Sequence, residues 1–145
     1  ALQEVLAIGD RRCIASTFKN LGTMASARGD HGTAVALFVD SMELRHELGD
    51  DAGLAECLEG VGAAGAAIGR PAEAASVLAA AHARRVASGA VPPPQEAAEI
   101  VALTDSLRRT VESAVFTQAW RQGLEFDTAK VVTFCRHAFE KTPPA

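Results

Sequence analysis

The chain has 145 residues, of which 48% are apolar and 5% aromatic, and its formal net charge is −4. That length is enough for the core of one ordinary domain, and so few aromatics suit an Ala-rich helical packing better than a sandwich or barrel. The acidic balance excludes broad binding to a phosphate backbone, which needs a concentrated Lys/Arg field, so no direct contact with nucleic acid is expected.

From Arg11 to Arg28, the residues Ile14, Phe18, Leu21 and Ala25 recur at intervals of three and four and predict a helix. Gly29-Asp30 follows as a turn, because glycine accepts the left-handed conformation past a helix end. From Gly32 to Leu48, Ala34, Leu37, Phe38, Ser41, Leu44 and Leu48 form a second stripe, and the two helices make a hairpin. A second copy repeats the pattern, with Leu54, Leu58, Val61 and Gly65 on its first helix and Ala74, Val77, Leu78 and Ala81 on its second. Gly69-Arg70-Pro71 marks the turn between them, with proline suited to a first helical turn.

The copies are in strict register. Ile8-Gly9-Asp10 returns as Leu48-Gly49-Asp50, Leu21-Gly22 as Val61-Gly62, Gly29 as Gly69, Ala34 as Ala74 and Arg45 as Arg85, always at the one offset that carries Gly9 to Gly49. A fixed period means one supersecondary unit copied and stacked, since a single copy cannot bury its own apolar face. The expected organisation is residues 1–10 as the tail of a truncated preceding repeat, 11–50 and 51–90 as two repeats, and 91–145 as a proline-led linker with capping helices. Ala1–Asp10 aligns with Ser41–Asp50, the end of a repeat, so the chain is expected to open in mid-repeat. After Ala87 the period breaks at Ser88-Gly89-Ala90-Val91-Pro92-Pro93-Pro94, which has the composition of a stiff connector. Helix resumes with Ala97, Ile100, Leu103, Leu107 and Val111, then with Phe116, Ala119 and Trp120. Asp127 can cap a last helix carrying Val131, Phe134, Cys135, Ala138 and Phe139 on one face.

These residues resemble the tetratricopeptide repeat, with its W-x2-L-G-x2-Y, A-x3-F, P pattern. Phe18, Leu21, Gly22 and Ala25, then Ala34, Phe38 and Ser41, occupy the pattern once; Leu58, Val61, Gly62 and Gly65, then Ala74, Leu78 and Ala81, occupy it again. Gly22 and Gly62, with Ala34 and Ala74, let neighbouring helices approach closely. The chain departs from the pattern in lacking the large aromatics of the first helix and the closing proline, and in its longer unit. The resemblance implies an all-α fold, TPR-like antiparallel hairpins stacked as a right-handed α-solenoid with C-terminal capping helices. It also implies a concave face lined by the first helix of each pair. By position that face carries Ser16, Lys19, Thr23 and Ser26 from the first copy and Glu56, Glu59, Ala63 and Ala66 from the second.

The implied function is non-enzymatic: an interaction or regulatory module whose partner is a protein or peptide, another domain of the same parent protein, or a second copy. The alternative reading is an essentially structural homo-oligomerisation element, a homodimer packed through exposed repeat ends. More narrowly, Leu54-Ala55-Glu56-Cys57-Leu58-Glu59-Gly60 and Phe116-x-x-Ala119-Trp120-x-x-Gly123 resemble the closing section of large actinobacterial signal-transduction regulators. Those carry an ATPase module and a LuxR-type DNA-binding or cyclase domain, both of which would lie outside this segment.

Other chemistry finds little support. Gly60-Val61-Gly62-Ala63-Ala64-Gly65 satisfies the G-x-G-x-x-G dinucleotide fingerprint, but that motif works only after a strand, and here a helix precedes it. No cofactor is expected. Cys135 and His137 point to different sides of one helix, His46-Glu47 lacks the second His of H-E-x-x-H, and His31 and His82 have no sequence partner, so no metal site is expected. Glu56 and Glu59 share a helix face and read as solvated. Cys13, Cys57 and Cys135 have no paired spacing and read as buried thiols in a reducing cytoplasm. The small apolar run from Gly60 to Gly69 is bounded by Glu59 and Arg70, too short to span a membrane. Trp120 reads as a staple holding the terminal helices to the last repeat.

Overall fold

The computed structural model describes residues 1–139. It is all α-helical in those residues, as seven helices in chain order: α1 (Leu2–Ala27), α2 (His31–Leu48), α3 (Asp51–Ile68), α4 (Pro71–Ser88), α5 (Pro94–Thr110), α6 (Ser113–Glu125) and α7 (Thr128–Ala138). The segment 91–145 is thus described up to Phe139, and residues 140–145 lie outside the described residues. Successive helices pack as antiparallel neighbours: α1 on α2, α2 on α3 and α3 on α4, a TPR-like solenoid. Gly29, Gly49 and Gly69 follow α1, α2 and α3 at positive φ, a conformation that costs glycine no Cβ clash.

The turn between α2 and α3 shows how the Leu-Gly-Asp signature works. Asp50 is the N-cap of α3; its Oδ1 accepts from the Gly53 amide at 3.0 Å, and its Oδ2 accepts from Arg45 Nη1 at 2.6 Å. Burial pushes this carboxyl up, but the Gly53 amide and the Arg45 guanidinium outweigh it and hold it below its ordinary value of 3.8. A carboxyl with a lowered folded-state pKa stabilises above its unfolded pKa and loses that contribution as pH falls through the folded one. Asp50→Ala is therefore expected to cost about 1 kcal/mol at pH 7. Urea unfolding at pH 7 and pH 3 should show that deficit narrowing in acid, as the pH drops below the unfolded-state pKa and falls toward the lowered folded one.

Small residues set the spacing of the stack. A Cβ on Gly22 would meet the Phe38 ring at 3.0 Å, one on Gly60 would meet it at 2.6 Å, and one on Gly62 would meet Leu78 at 2.7 Å. Phe38 of α2 is thus pressed against glycines of both α1 and α3. Beside it, Ser41 Oγ donates to the Ala15 carbonyl at 2.7 Å and accepts from Arg45 Nε at 3.1 Å and from Cys57 Sγ at 3.4 Å, joining α1, α2 and α3 through one buried hydroxyl.

Three features differ from the sequence reading. Gly9-Asp10 does not break the chain: α1 runs through it as one helix of 26 residues. Ile14 and Leu21, expected in the buried stripe, are exposed, and α1 meets its neighbours through Ala15, Gly22 and Ala25 instead. Cys13 is exposed, whereas Cys57 and Cys135 are buried. The first helix has two apolar faces, a small-residue face that admits α2 closely and a bulkier one turned outward.

The C-terminal helices divide their tasks. Among the described residues α6 makes the most extensive cap on the last repeat, packing along α4 through Phe116, Ala119 and Gly123. The connector after Gly89 lifts α5 off the stack, and its contacts with α3, α4 and α6 are lighter. α7 packs on α2 and α4; its Val131 and Cys135, with Phe139 just after it, join the core that both repeats share, built from α2, α3 and α4. Asp127 caps α7 by accepting from the Lys130 amide at 2.8 Å. Buried Arg84 of α4 fixes the α6–α7 junction, donating to the Phe126 carbonyl at 3.4 Å and to Thr128 Oγ1 at 3.2 Å.

Candidate protein-interaction groove

The first helices of the two pairs, α1 and α3, form one side of an open groove of about 410 Å³, and α5 forms its opposite wall. Of the eight positions expected on a concave face, Lys19, Thr23, Ser26, Glu56, Glu59 and Ala63 line it. Ser16 is exposed on α1 outside the groove, and Ala66 is turned toward the core shared by α4, α5 and α6. The six gather because a helical period places residues three, four and seven apart on one face, and two copies in register place those faces side by side.

The sequence reading missed the far wall. Asn20 and Gly60 complete the α1–α3 side, and Glu96, Glu99, Ile100 and Leu103 of α5 face them. Ile100 and Leu103 are legible as part of an amphipathic stripe, but the stripe does not say which neighbour it meets once the period is broken.

The floor of the groove is small in side chain, at Gly60 and Ala63, and its charges are partly paired. Lys19 donates to Glu56, and Arg85 donates twice to Glu59, at 2.7 and 3.1 Å. The hydrogen bond to Glu59 is the main cause that raises the Arg85 pKa, against burial that lowers it. Glu56 and Glu59 are thus oriented by cations on adjacent helices and not simply solvated. Glu96 and Glu99 are exposed on α5, so carboxylates outnumber cations along the groove.

Behind α5 a second cavity, about 370 Å³, lies between α4, α5 and α6, with Leu78, His82, Val101 and Trp120 in its lining. Half-buried Trp120 stacks on Phe116 with ring centroids 5.8 Å apart and lies 6.1 Å from His82 of α4. That geometry joins α6 to α4, the staple arrangement.

The remaining motifs resolve into packing. Gly60, Gly62 and Gly65 all lie inside α3, and an added Cβ on Gly65 would overlap the Phe139 ring. Among the described residues the run therefore receives side chains from α2, α4 and the end of α7. Cys135 is buried and His137 exposed; burial pushes the Cys135 thiol up to about 12, with Arg84 pulling the other way. Among the described residues no three His, Cys, Asp or Glu side chains gather as a metal site, and no helix is long and apolar enough to cross a membrane.

No curated protein and no solved structure matches the chain. A family model described as tetratricopeptide repeat matches residues 11–85, the stretch that carries both hairpins.

Proposed function

Since the chain belongs to the tetratricopeptide repeat family, whose members generally mediate protein–protein interaction, we propose that it is a non-catalytic interaction module that holds a protein segment in the groove between α1, α3 and α5. The observation that carries this reading is the convergence of Lys19, Thr23, Ser26, Glu56, Glu59 and Ala63, from two copies of the repeat, on one open groove. Side chains displayed at repeat spacing give a bound segment its register, and the ion pairs Lys19–Glu56 and Arg85–Glu59 hold the polar groups in place before binding.

The setting we propose is a larger cytoplasmic signal-transduction regulator with an ATPase module, in which the segment bound is another domain of the same protein. The resemblance of Leu54–Gly60 and of the Phe116, Ala119, Trp120 and Gly123 pattern to such proteins supports it. The test is pull-down of the remaining domains of that parent. Ala63→Arg, at an exposed groove position, is expected to weaken capture at least ten-fold with an unchanged thermal midpoint, and Lys19→Glu to weaken it similarly. Absence of capture by the unmodified chain, or capture that Ala63→Arg leaves intact, discards the reading.

A further inference from the structure

The cavity of about 370 Å³ between α4, α5 and α6 differs in chemistry from the groove on the other side of α5. Ala97, Val101, Thr104 and Arg108 line it from α5, at the helical spacing that puts them on one face. Leu78 and His82 of α4 and Trp120 of α6 stand opposite. Among the described residues of α5 only Leu107 is buried, so this wall is held lightly.

The internal repeat shows that packing alone does not call for such a lining. One period before His82 stands Met42, which is fully buried in the core, whereas His82 is exposed at the cavity. The second repeat thus exchanges a packed thioether for an open imidazole, at the point where the proline connector holds α5 away from α4.

Two rings border the cavity and a third backs them. The half-buried Trp120 indole stacks on Phe116 at 5.8 Å with the planes 17° apart, and lies 6.1 Å from the His82 imidazole. Phe116 is not part of the lining, so the stack reaches the cavity at Trp120 and His82. A flat aromatic ring extends a stack of this kind, and Leu78, Ile100 and Val101 supply apolar cover for it.

Charge decides which aromatic molecule fits. Glu59 and Arg85 are spent on each other, since both carboxylate oxygens accept from the one guanidinium, at 2.7 and 3.1 Å. Arg108 has a loose ion pair with Asp105, at 3.7 Å with both side chains more than half exposed. Its guanidinium carbon stands 5.2 Å from the centre of the Phe116 ring, beside the stack. Of the two charges in that loose pair, the cation is therefore the one that adjoins the rings, and a guanidinium takes a carboxylate through two parallel hydrogen bonds.

We infer that the cavity between α4, α5 and α6 binds a small planar aromatic carboxylate, its ring laid against Trp120 and His82 and its carboxylate held by Arg108. The volume lies at the small end of ligand sites and suits one or two fused rings. The site is separate from the groove and does not depend on what the groove holds.

The probe is 2-naphthoate. Trp120 is the one tryptophan of the sequence, so the isotope-labelled chain gives a single indole N–H resonance in its NMR spectrum, a reporter placed in the site. Titration is expected to shift that resonance saturably, with a Kd on the order of 0.1 mM for a probe of about a dozen heavy atoms. The same ring without the anion, as 2-naphthylmethanol or 2-naphthylmethylamine, should bind roughly ten-fold more weakly, for want of a charge-assisted contact. Arg108→Gln should bring naphthoate down to the level of the alcohol and leave the affinity for the alcohol unchanged. Val101→Asp, at an exposed position of the α5 wall, should weaken naphthoate at least ten-fold, with the fold in both variants certified by unchanged far-UV circular dichroism. A resonance that does not shift saturably, an amine or alcohol that binds as well as naphthoate, or naphthoate binding indifferent to either substitution would each overturn the inference.

Discussion

Gly123→Ala is expected to lower the stability of the chain by about 3 kcal/mol, at the upper end of what overpacking costs. The sign is opposite to what intrinsic preference dictates, since alanine inside a helix is favoured over glycine by about 1 kcal/mol. Contact decides the matter. A Cβ on Gly123 would overlap the Ser76 carbonyl oxygen and stand 2.7 Å from its carbonyl carbon and 2.8 Å from the Ala79 Cβ. The nearest obstacle is backbone of α4, which cannot rotate away, and Ser76 is further committed because its hydroxyl donates to the Ala119 carbonyl at 2.9 Å. α6 must therefore lift off α4. A loss of this size corresponds to roughly 6–12 °C in thermal midpoint for a chain of this length. Trp120 lies on α6 and is the one tryptophan of the sequence, so its emission should shift to the red in the variant. An unaltered midpoint with unaltered emission would show that α6 does not depend on this contact.

Phe38→Ala is expected to cost at least as much, about 3–5 kcal/mol, as deletion of a buried aromatic ring leaves a cavity that close-packed helices fill only in part. Phe38 is buried, and its ring fills the space left by two absent side chains, at Gly22 and Gly60. That shared space makes a sharper measurement available. Gly60→Ala should destabilise the native background, because its Cβ would fall 2.6 Å from the ring. In a Phe38→Leu background the same substitution should cost distinctly less, a non-additivity expected of two groups competing for one volume. Equal costs by urea unfolding in both backgrounds would show that ring and glycine do not share the space.

The same residues show what the sequence discloses and where it stops. The hairpins were legible because the apolar period and the turn glycines agree, and Gly22, Gly62, Ala34 and Ala74 were legible as close-packing positions because small residues on a buried stripe have little other use. Periodicity yields a helix and its faces but not which face meets which neighbour. Ile14 and Leu21 lie on a proper stripe and yet are exposed, because the neighbour of α1 is admitted by Ala15, Gly22 and Ala25. For the groove, position within the repeat was enough to place Lys19, Thr23, Ser26, Glu56, Glu59 and Ala63 together, since both copies carry the same geometry. Glu96, Glu99, Ile100 and Leu103 were not legible as its wall, because Pro92-Pro93-Pro94 takes α5 out of register and no local pattern reports a contact across such a break.

Arg136 of α7 donates to Asp40 at 3.2 Å and to Glu43 at 2.6 Å, partners far earlier in the chain, while Phe139 reaches Gly65. A plain stack of repeats frays from its ends, because each unit touches only the next. Here the last described helix is a clasp from α4 back to α2, so peeling the C-terminal end away also uncovers the first hairpin. The row is consequently expected to melt as one body, and hydrogen exchange should show the amides of α2 and α4 opening together. The clasp is also costly in loop entropy to close, which places it late in folding, after the hairpins it fastens have formed.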